Sequence, residues 1–461
     1  MTTAETRSLR DAHVLVLGLG RFAGGVETAR FLVNEGAHVV VSDSAARSAL
    51  EESAAAAEAL GASLVFGAQT AALLQGTDLV VAGPAIPFGH VVLDAAQARG
   101  IPVTTEVNVV LSRVRAPVLA VTGTKGKSTT TTLLARMLEA AGFRVHLGGN
   151  LGRPLVAELD AIAPSDLVVL ELSSFQLWWT RKIRRSPHVT VVTNLFADHI
   201  DRHGTLEAYA EAKRAALDFQ GPHDVAVLPI DDPTVRRVGY LEAGRGNRAL
   251  FGEGGAYRME GTRLTGPEGS ADLAGFALWG EHNLRHALAA ATAALQVPGV
   301  GWEAVRTGAM GMRPLPHRLD PVAEVGGVLY VDDSNATTPQ STAKAVESSP
   351  RPVVVLVGGK EKGVDVTPLI EAVAARARGA VTIGTSGPAL RARLQGRLPV
   401  VDGGPDLDHA VRAAARLARP GDAVLLSPGF SSLDQHPSFA VRGERFRRAV
   451  LALRESGPRP A

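Results

Sequence analysis

Apolar runs of four to six residues recur along this chain, and each empties into glycine or a polar turn before a stretch with helical spacing. His13 to Gly20 (HVLVLGLG), His38 to Val41, Asp78 to Ala82, Val118 to Val121, Asp166 to Leu170 and Val189 to Thr193 read as buried strands. Val328 to Val331, Pro352 to Val357 and Ala423 to Leu426 repeat the pattern in the last third. Strands alternating with helical segments predict an α/β chain with mostly parallel sheets. The first doubly wound domain spans 1–112, a second 113–313 and a third 314–461, with the turn-rich run GAMGMRPLP, Gly308 to Pro316, as the linker before the third. The closing PSFAVRGERFRRAVLALRE reads as an amphipathic helix with Phe439 and Phe446 as packing residues.

Composition narrows the class. With 461 residues, 46% hydrophobic and 20% charged, the chain has ample core for several domains. It has no cysteine, which excludes disulfides, thiolate metal sites and cysteine nucleophiles. A net charge of +2 without a dense Lys/Arg block gives no reason to expect nucleic acid or membrane as partner. No apolar run approaches the roughly 20 residues that cross a bilayer, and MTTAETRSLRDAH lacks a signal-peptide core, so a cytoplasmic protein is expected.

The chemistry concentrates at Ala116 to Ala141, APVLAVTGTKGKSTTTTLLARMLEAA. Strand, glycine turn and a helix from Thr129 onward make a phosphate-binding loop. Gly123 and Gly126 let backbone N–H groups of Thr124, Lys125 and their neighbours approach a polyphosphate, Lys127 supplies a charge, and Ser128 can hold Mg²⁺. Val121 stands where the general pattern has its first glycine, so the match is to the shorter form TGTKGKS. Downstream, the turn GGNLG carries Asn150, and the next strand delivers Glu171 at its C-terminal end, where ligands collect in open α/β sheets. Glu171 is a candidate metal carboxylate. The strand after that leads to Asp198-His199-Ile200-Asp201-Arg202-His203-Gly204, whose Asp and His suit Mg²⁺ and phosphate.

Other positions are less specific. In the first domain, Gly18-x-Gly20-x-x-Ala23 after a strand, with Asp43 and Ser44 ending the next, fits a nicotinamide dinucleotide, another nucleotide such as a UDP-sugar, or a tight turn alone. Lys213, in LEAYAEAKRAALDF, reads from its pattern as a solvent-facing lysine. Asn283, in GEHN before an alanine-rich helix, is an N-cap or a base contact, and the cap is the stronger reading. In the third domain, DDSNATT, GGKEKG and LLSPGFSSLDQ each follow a strand, so one sheet edge faces a ligand, with Arg318 nearby.

TGTKGKS, GGNLG, ELSSFQL, DHIDRHG, GEHN, LPHR, DDSNATT, GGKEKG and LLSPGFSSLDQ occur in this order along almost the whole chain. Together they resemble the Mur ligases, ATP-dependent amino-acid ligases of peptidoglycan precursor synthesis. ELSSFQL and SLDQ are most similar to the members that add D-glutamate. The resemblance implies an N-terminal Rossmann-like domain for the UDP-linked precursor, a central P-loop ATPase domain and a C-terminal Rossmann-like domain that brings the amino acid. It implies UDP-N-acetylmuramoyl-L-alanine, D-glutamate and ATP as substrates, with two Mg²⁺ ions, in a monomer that works in cell-wall biogenesis and division.

The same resemblance assigns residues. Ser128, Glu171, His199 and Lys213 become metal ligands, Lys213 after carbamylation. Gly123 to Thr129 take the phosphates, and Asn283, Arg318 and Asp333 surround adenine, ribose and phosphate. Gly18, Gly20, Arg21, Asp43, Ser44 and Gly83 contact the uridine diphosphate, and Asn150 lies near the sugar phosphate. Thr337, Lys362, Ser432, Leu433 and Phe439 form the region receiving D-glutamate. Two departures stand out: Lys125 where the family usually has Asn, and Asn335 where it usually has Lys, and these two changes are a candidate compensating pair. The alternatives are a related Mur or folylpolyglutamate-type ligase adding another amino acid, a non-catalytic binding protein of the same architecture, or an NAD-dependent oxidoreductase built on Gly18 to Asp43.

Overall fold

The computed structural model describes residues 6, 8–20, 24–151, 154–360 and 363–455, so Arg21 and Lys362 lie outside the described residues. The chain divides into two compact units, Met1–Ala274 with Arg285–Gly311, and Gly275–Leu284 with Met312–Ala461.

The first unit holds two parallel sheets. β1 (His13–Leu17), β2 (His38–Asp43), β3 (Ser63–Phe66), β4 (Leu79–Ala82) and β5 (Val103–Thr104) form the first, in the order β3-β2-β1-β4-β5. β6 (Val118–Thr122), β7 (Val145–Gly149), β8 (Leu167–Glu171), β9 (Val189–Val192), β10 (Val225–Pro229) and β11 (Asn247–Phe251) form the second, in the order β11-β10-β9-β6-β8-β7. β6 has β8 on one side and β9 on the other, both parallel to it. From β6 the chain first winds to one side and then returns to the other, so the loop after β6 sits at the topological switch point. β6 and β8 are buried at every residue, as a sheet covered on both faces requires. A small antiparallel sheet of β12 (Arg258–Glu260), β13 (Arg263–Gly266) and β14 (Gly269–Asp272) follows.

The second unit carries β15 (Asp320–Val325), β16 (Val328–Asp332), β17 (Val353–Gly358), β18 (Ala377–Ile383), β19 (Val400–Asp402) and β20 (Ala423–Leu426). Their order is β15-β16-β20-β17-β18-β19, and all but the β15–β16 pair run parallel. The C-terminal ends of β16, β20 and β17 therefore lie side by side. These are the strands that empty into the three polar loops singled out in the sequence.

Four local expectations need correction. The phosphate-loop helix spans Lys127–Ala140 and starts two residues earlier than the pattern suggested, because Gly126, at φ 81°, makes the turn into it. The run Gly308 to Pro316 is not all linker: the helix Trp302–Met310 contains Gly308, which sits so close to the phosphate-loop helix that a Cβ there would lie 2.5 Å from the Met137 Cα. Asn283 is not an N-cap. It lies inside the helix Glu281–Ala294 and donates through Nδ2 to the Trp279 carbonyl at 2.6 Å. In the helix Phe439–Glu455, Phe446 is buried as expected, but Phe439 is 39% exposed at the helix start.

Candidate active site

The phosphate loop is shaped by two glycines that no other residue could replace without movement. Gly123, at φ 136°, passes so close to the end of β9 that a Cβ would meet the Thr193 Oγ1 at 2.1 Å. Gly126, in the left-handed region, lies beneath the His286 ring, with a built Cβ only 2.0 Å from Nε2. Between them the loop is clasped by the segment after β9: the Thr124 N–H donates to the Asn194 carbonyl at 3.0 Å, and the Lys125 N–H to the Asn194 Oδ1 at 2.9 Å. The Lys127 ammonium lies over the loop, donating to the carbonyls of Gly123 at 3.2 Å and Thr124 at 3.0 Å. Burial holds this amine below the usual lysine range, with the Glu171 carboxylate opposing.

Glu171 ends β8 and is 2% exposed. Asn150 fixes it from the neighbouring turn, donating through Nδ2 to Oε1 at 2.9 Å and through its backbone to the Glu171 carbonyl at 2.8 Å. The other carboxylate oxygen, Oε2, is buried with no hydrogen-bond partner among the described residues. A buried carboxylate oxygen left in this way is costly unless a cation takes it.

Lys213 is the clearest departure from its local pattern. On the helix Leu206–Asp218, flanked by charged residues, it is nonetheless 1% exposed. Its Nζ donates to the Thr122 Oγ1 at 3.3 Å, at the end of β6, and lies 4.8 Å from the Tyr209 ring centroid. Burial, aided by the nearby Lys127 charge, drives this amine far below the ordinary lysine value, while Asp198 and Glu171 oppose. A neutral amine with a free lone pair is the form that reacts with carbon dioxide.

His199 begins the short helix Ile200–His203 at φ 52° and packs edge-on against Phe175, ring centroids 5.1 Å apart. His203 stacks on the other side of that cluster, 5.4 Å from Phe175 with planes 8° apart, and its Nε2 meets the Ser174 Oγ at 3.0 Å. Burial, with Lys213, His199 and Arg202 close by, keeps the His203 ring below its usual value. Phe88, from the first sheet's turn, touches both Trp178 and His203, at 4.2 and 5.6 Å between ring centroids. His286 was missed in the sequence, since a histidine on an alanine-rich helix carries no distinguishing spacing, whereas His203 was already part of the DHIDRHG run.

These groups fit magnesium nucleotide chemistry. The donors are hydroxyl, carboxylate and imidazole, and among the described residues no three His, Asp or Glu side chains form a ready-made cage. Mg²⁺ is characteristically bound by one or two carboxylates together with substrate phosphates and water. The orphaned Glu171 oxygen beside a glycine cradle is an arrangement of that type.

At the first sheet's edge, Asp43 reaches the glycine turn after β1. Its Oδ2 accepts from the Leu19 and Gly20 N–H groups, both at 3.0 Å, and its Oδ1 from Ala45 at 2.9 Å. Two amides of the glycine turn are therefore already paired, and the carboxylate is a brace for that turn. Gly83 closes the same edge, its N–H donating to the Leu17 carbonyl at 2.9 Å, with Ile86 packed 3.5 Å from a built Gly18 Cβ. Ser44 follows Asp43 as an exposed residue.

In the second unit, Asp333 accepts from the Ser427 Oγ at 2.7 Å and the Leu319 N–H at 3.2 Å, and burial pushes its carboxyl up to about 7 despite these bonds. Arg318 lies in the strained turn between His317, at φ 62°, and Leu319, at φ 47°. Ser432 is 3% exposed and Leu433 61%, on the loop after β20. Thr337 follows β16, and the Phe439 ring stands edge-on to His317 at 6.0 Å. Beneath them Arg442, 1% exposed, ties the loops together: Nε donates to the Ser334 Oγ at 3.0 Å, and Nη2 to the carbonyls of Ser334 and Phe430. The amphipathic reading of the last helix gave no sign of this buried guanidinium.

Sequence profiles match three stretches of the chain: the MurD-like N-terminal domain of Mur ligases over residues 12–105, the Mur ligase middle domain over 121–294, and the Mur ligase, glutamate ligase domain over 317–430. A protein of Pelotomaculum thermopropionicum named UDP-N-acetylmuramoylalanine–D-glutamate ligase is 39% identical over 456 residues, covering 96% of this chain and 98% of that one. The chain belongs to the Mur ligase family. A protein of the same name from Anaeromyxobacter dehalogenans is 40% identical over 95% of this Mur ligase and 97% of its own length. Among solved structures, the UDP-N-acetylmuramate–alanine ligase MurC of Thermotoga maritima superposes with a TM-score of 0.58 at 19% identity, covering 95% of this chain and 99% of its own. The MurF ligase of Thermotoga maritima in complex with ADP gives 0.56 at 19% identity, covering 97% and 96%. At that identity the two structures establish the fold.

Proposed function

We propose that this Mur ligase joins the alanyl carboxylate of UDP-N-acetylmuramoyl-L-alanine to the amine of D-glutamate, with ATP cleaved to ADP and phosphate. The observation that carries the reading is the gathering of Lys127, the half-satisfied Glu171 carboxylate and the buried Lys213 amine around the loop after β6. Similarity over nearly the full length to ligases of that name, 39% and 40% identical, supports these substrates.

A carboxylate is a poor electrophile, and the first step moves the γ-phosphoryl group of ATP onto it, breaking the bond to the leaving ADP oxygen. The neutral amine of D-glutamate then attacks the acyl carbon, loses a proton, and expels phosphate as the amide forms. Both steps crowd anions together, so the protein's work is positioning and charge neutralisation. Lys127 and the N–H groups of the first turn of its helix hold the β- and γ-phosphates, since the Thr124 and Lys125 N–H groups are taken by Asn194. Ser128, Glu171 and His199 would hold Mg²⁺, which would supply positive charge to offset that of the phosphate groups. Asn150 keeps the Glu171 oxygen aimed, and Thr122 orients the Lys213 Nζ. The lone pair of the neutral Lys213 amine takes up carbon dioxide with loss of one proton, giving a carbamate that could serve as a carboxylate-like metal ligand.

In this reading the stretch 1–112 takes the UDP precursor, 113–313 the ATP, and 314–461 the amino acid. Thr337, Lys362, Ser432, Leu433 and Phe439 surround D-glutamate, where an ammonium and a hydroxyl pair its carboxylates. Asn283, Arg318 and Asp333 serve the nucleotide. The enzyme acts as a monomer in the cytoplasm. No described helix is long and apolar enough to cross a membrane. Phosphate release measured with UDP-N-acetylmuramoyl-L-alanine and a panel of D- and L-amino acids tests the proposal. Rapid turnover with D-glutamate alone is expected; preference for another amino acid, or no release with any, overturns it.

A further inference from the structure

Lys125 stands between the two loop glycines, at one of the positions where this chain departs from the usual family pattern. Its backbone is firmly held: the N–H donates to the Asn194 Oδ1 at 2.9 Å, and the carbonyl accepts from the Asn194 Nδ2 at 3.0 Å and the Thr193 Oγ1 at 2.7 Å. Its side chain does something different. The ammonium, 66% exposed, reaches the Asp198 Oδ2 at 3.0 Å. The other oxygen of Asp198, Oδ1, accepts the N–H of His199 at 3.1 Å, at the residue whose φ is 52°. One carboxylate thus joins the Lys125 charge to the backbone of the candidate metal ligand His199.

We infer that the Lys125–Asp198 ion pair is a nucleotide-sensitive latch: it ties the phosphate-binding loop to the segment carrying His199, and an arriving polyphosphate competes with Asp198 for the Lys125 ammonium. The neighbouring ties between these segments, through Thr124, Thr193, Asn194 and the Phe196 backbone, are neutral hydrogen bonds. The Lys125 pair is ionic and exposed, so it can exchange partners cheaply, and a polyphosphate offers more negative charge than one carboxylate. Its release leaves Asp198 with the His199 N–H alone, so nucleotide occupancy changes how His199 is held. Lys125 is then a positioning residue for His199 as well as a phosphate contact, and its charge has a partner in its own unit without reference to Asn335.

The inference rests on the nucleotide site proposed above, and a double-mutant cycle on ATP affinity tests it without requiring amide formation. ATP binding to the full chain is measured calorimetrically, with EDTA present, for wild type, Lys125→Asn, Asp198→Asn and the double variant. Lys125→Asn weakens binding by about threefold, the size an exposed ion pair carries, and Asp198→Asn tightens it by a similar factor. In the Lys125→Asn background the Asp198→Asn gain disappears, and Lys125→Arg restores wild-type behaviour. Hydrogen exchange of the amides in 198–204 rises when ATP is added to wild type, and is already raised in Lys125→Asn. Additive effects in the cycle, weaker binding by Asp198→Asn, or exchange in 198–204 indifferent to ATP would each overturn the latch. A wild-type chain that binds ATP yet makes no amide defeats the ligase reading alone; one that binds no ATP defeats both.

Discussion

Three side chains carry most of the weight at the residue scale, and burial is what distinguishes them. Lys127→Ala removes the ammonium from the phosphate loop, and Glu171→Ala removes the carboxylate that Asn150 holds in place. Each is expected to lower phosphate release by about 100-fold or more, the range for losing a preorganised charge at a transition state, with little change in melting temperature. Stopped-time phosphate assays check this. Lys213 gives a second outcome. With ¹³C-bicarbonate, a carbamate carbon resonance is expected from the wild type and absent from Lys213→Arg, since guanidinium stays protonated and cannot take up carbon dioxide. Asp333 gives a third, on stability. Burial lifts its carboxyl from the ordinary 3.8 to about 7, so the folded chain keeps a proton there that the unfolded chain has already lost. The folded state binds more protons across that interval; the stability is fully present below about pH 4 and declines as pH rises to about 7. Urea unfolding of Asp333→Asn between those limits is expected to show a flatter pH dependence than the wild type.

At the scale of elements, two glycines set how closely helices may approach. Gly126 combines a left-handed backbone with the His286 ring lying on it. Gly126→Ala should therefore cost about 1–2 kcal/mol from the backbone conformation, with the steric contact in addition. His286→Ala in the same chain should recover only the steric part. Gly308 is a different case, since its conformation is ordinary and only its neighbours forbid a side chain. A Cβ would lie 2.5–2.7 Å from backbone atoms of Met137 and Arg136, so Gly308→Ala is expected to destabilise by about 1–3 kcal/mol in denaturant unfolding. Neither glycine announces its reason in the sequence. Gly126 is recognisable from its motif, whereas Gly308 reads as part of a linker.

For the molecule as a whole, the arrangement of strands explains why residues far apart in sequence meet. β6, β8 and β9 are neighbours in one parallel sheet, so the loop at Gly123, the acid at Glu171 and the clasp at Asn194 leave it at one edge. That much was legible in the sequence, because each apolar run is long enough to identify a strand and each ends in a polar residue. The order of strands was not legible, and neither were the contacts that depend on it. Asp43 matched a uridine-diphosphate contact by resemblance, and its bracing of the Leu19 and Gly20 amides shows only in three dimensions, where the end of β2 lies beside the end of β1. Asn283 fitted a cap but sits within its helix. Arg442 carries no mark in the amphipathic pattern but is buried against the loops that hold Ser334 and Phe430. If the edge of the central sheet binds magnesium nucleotide, chelation by EDTA should abolish phosphate release from the intact enzyme, and added Mg²⁺ should restore it.

The amino-acid sequence by itself determined the alternation of strands and helices, the phosphate loop and the family, because hydrophobic period and glycine–lysine spacing are properties of neighbouring residues. Tertiary structure alone decided that Lys213 is buried beside Thr122, that Glu171 keeps one oxygen without a partner among the described residues, and that Lys125 reaches Asp198. Those facts depend on which strands pair across the sheet and what then loses contact with water, and no local pattern encodes that.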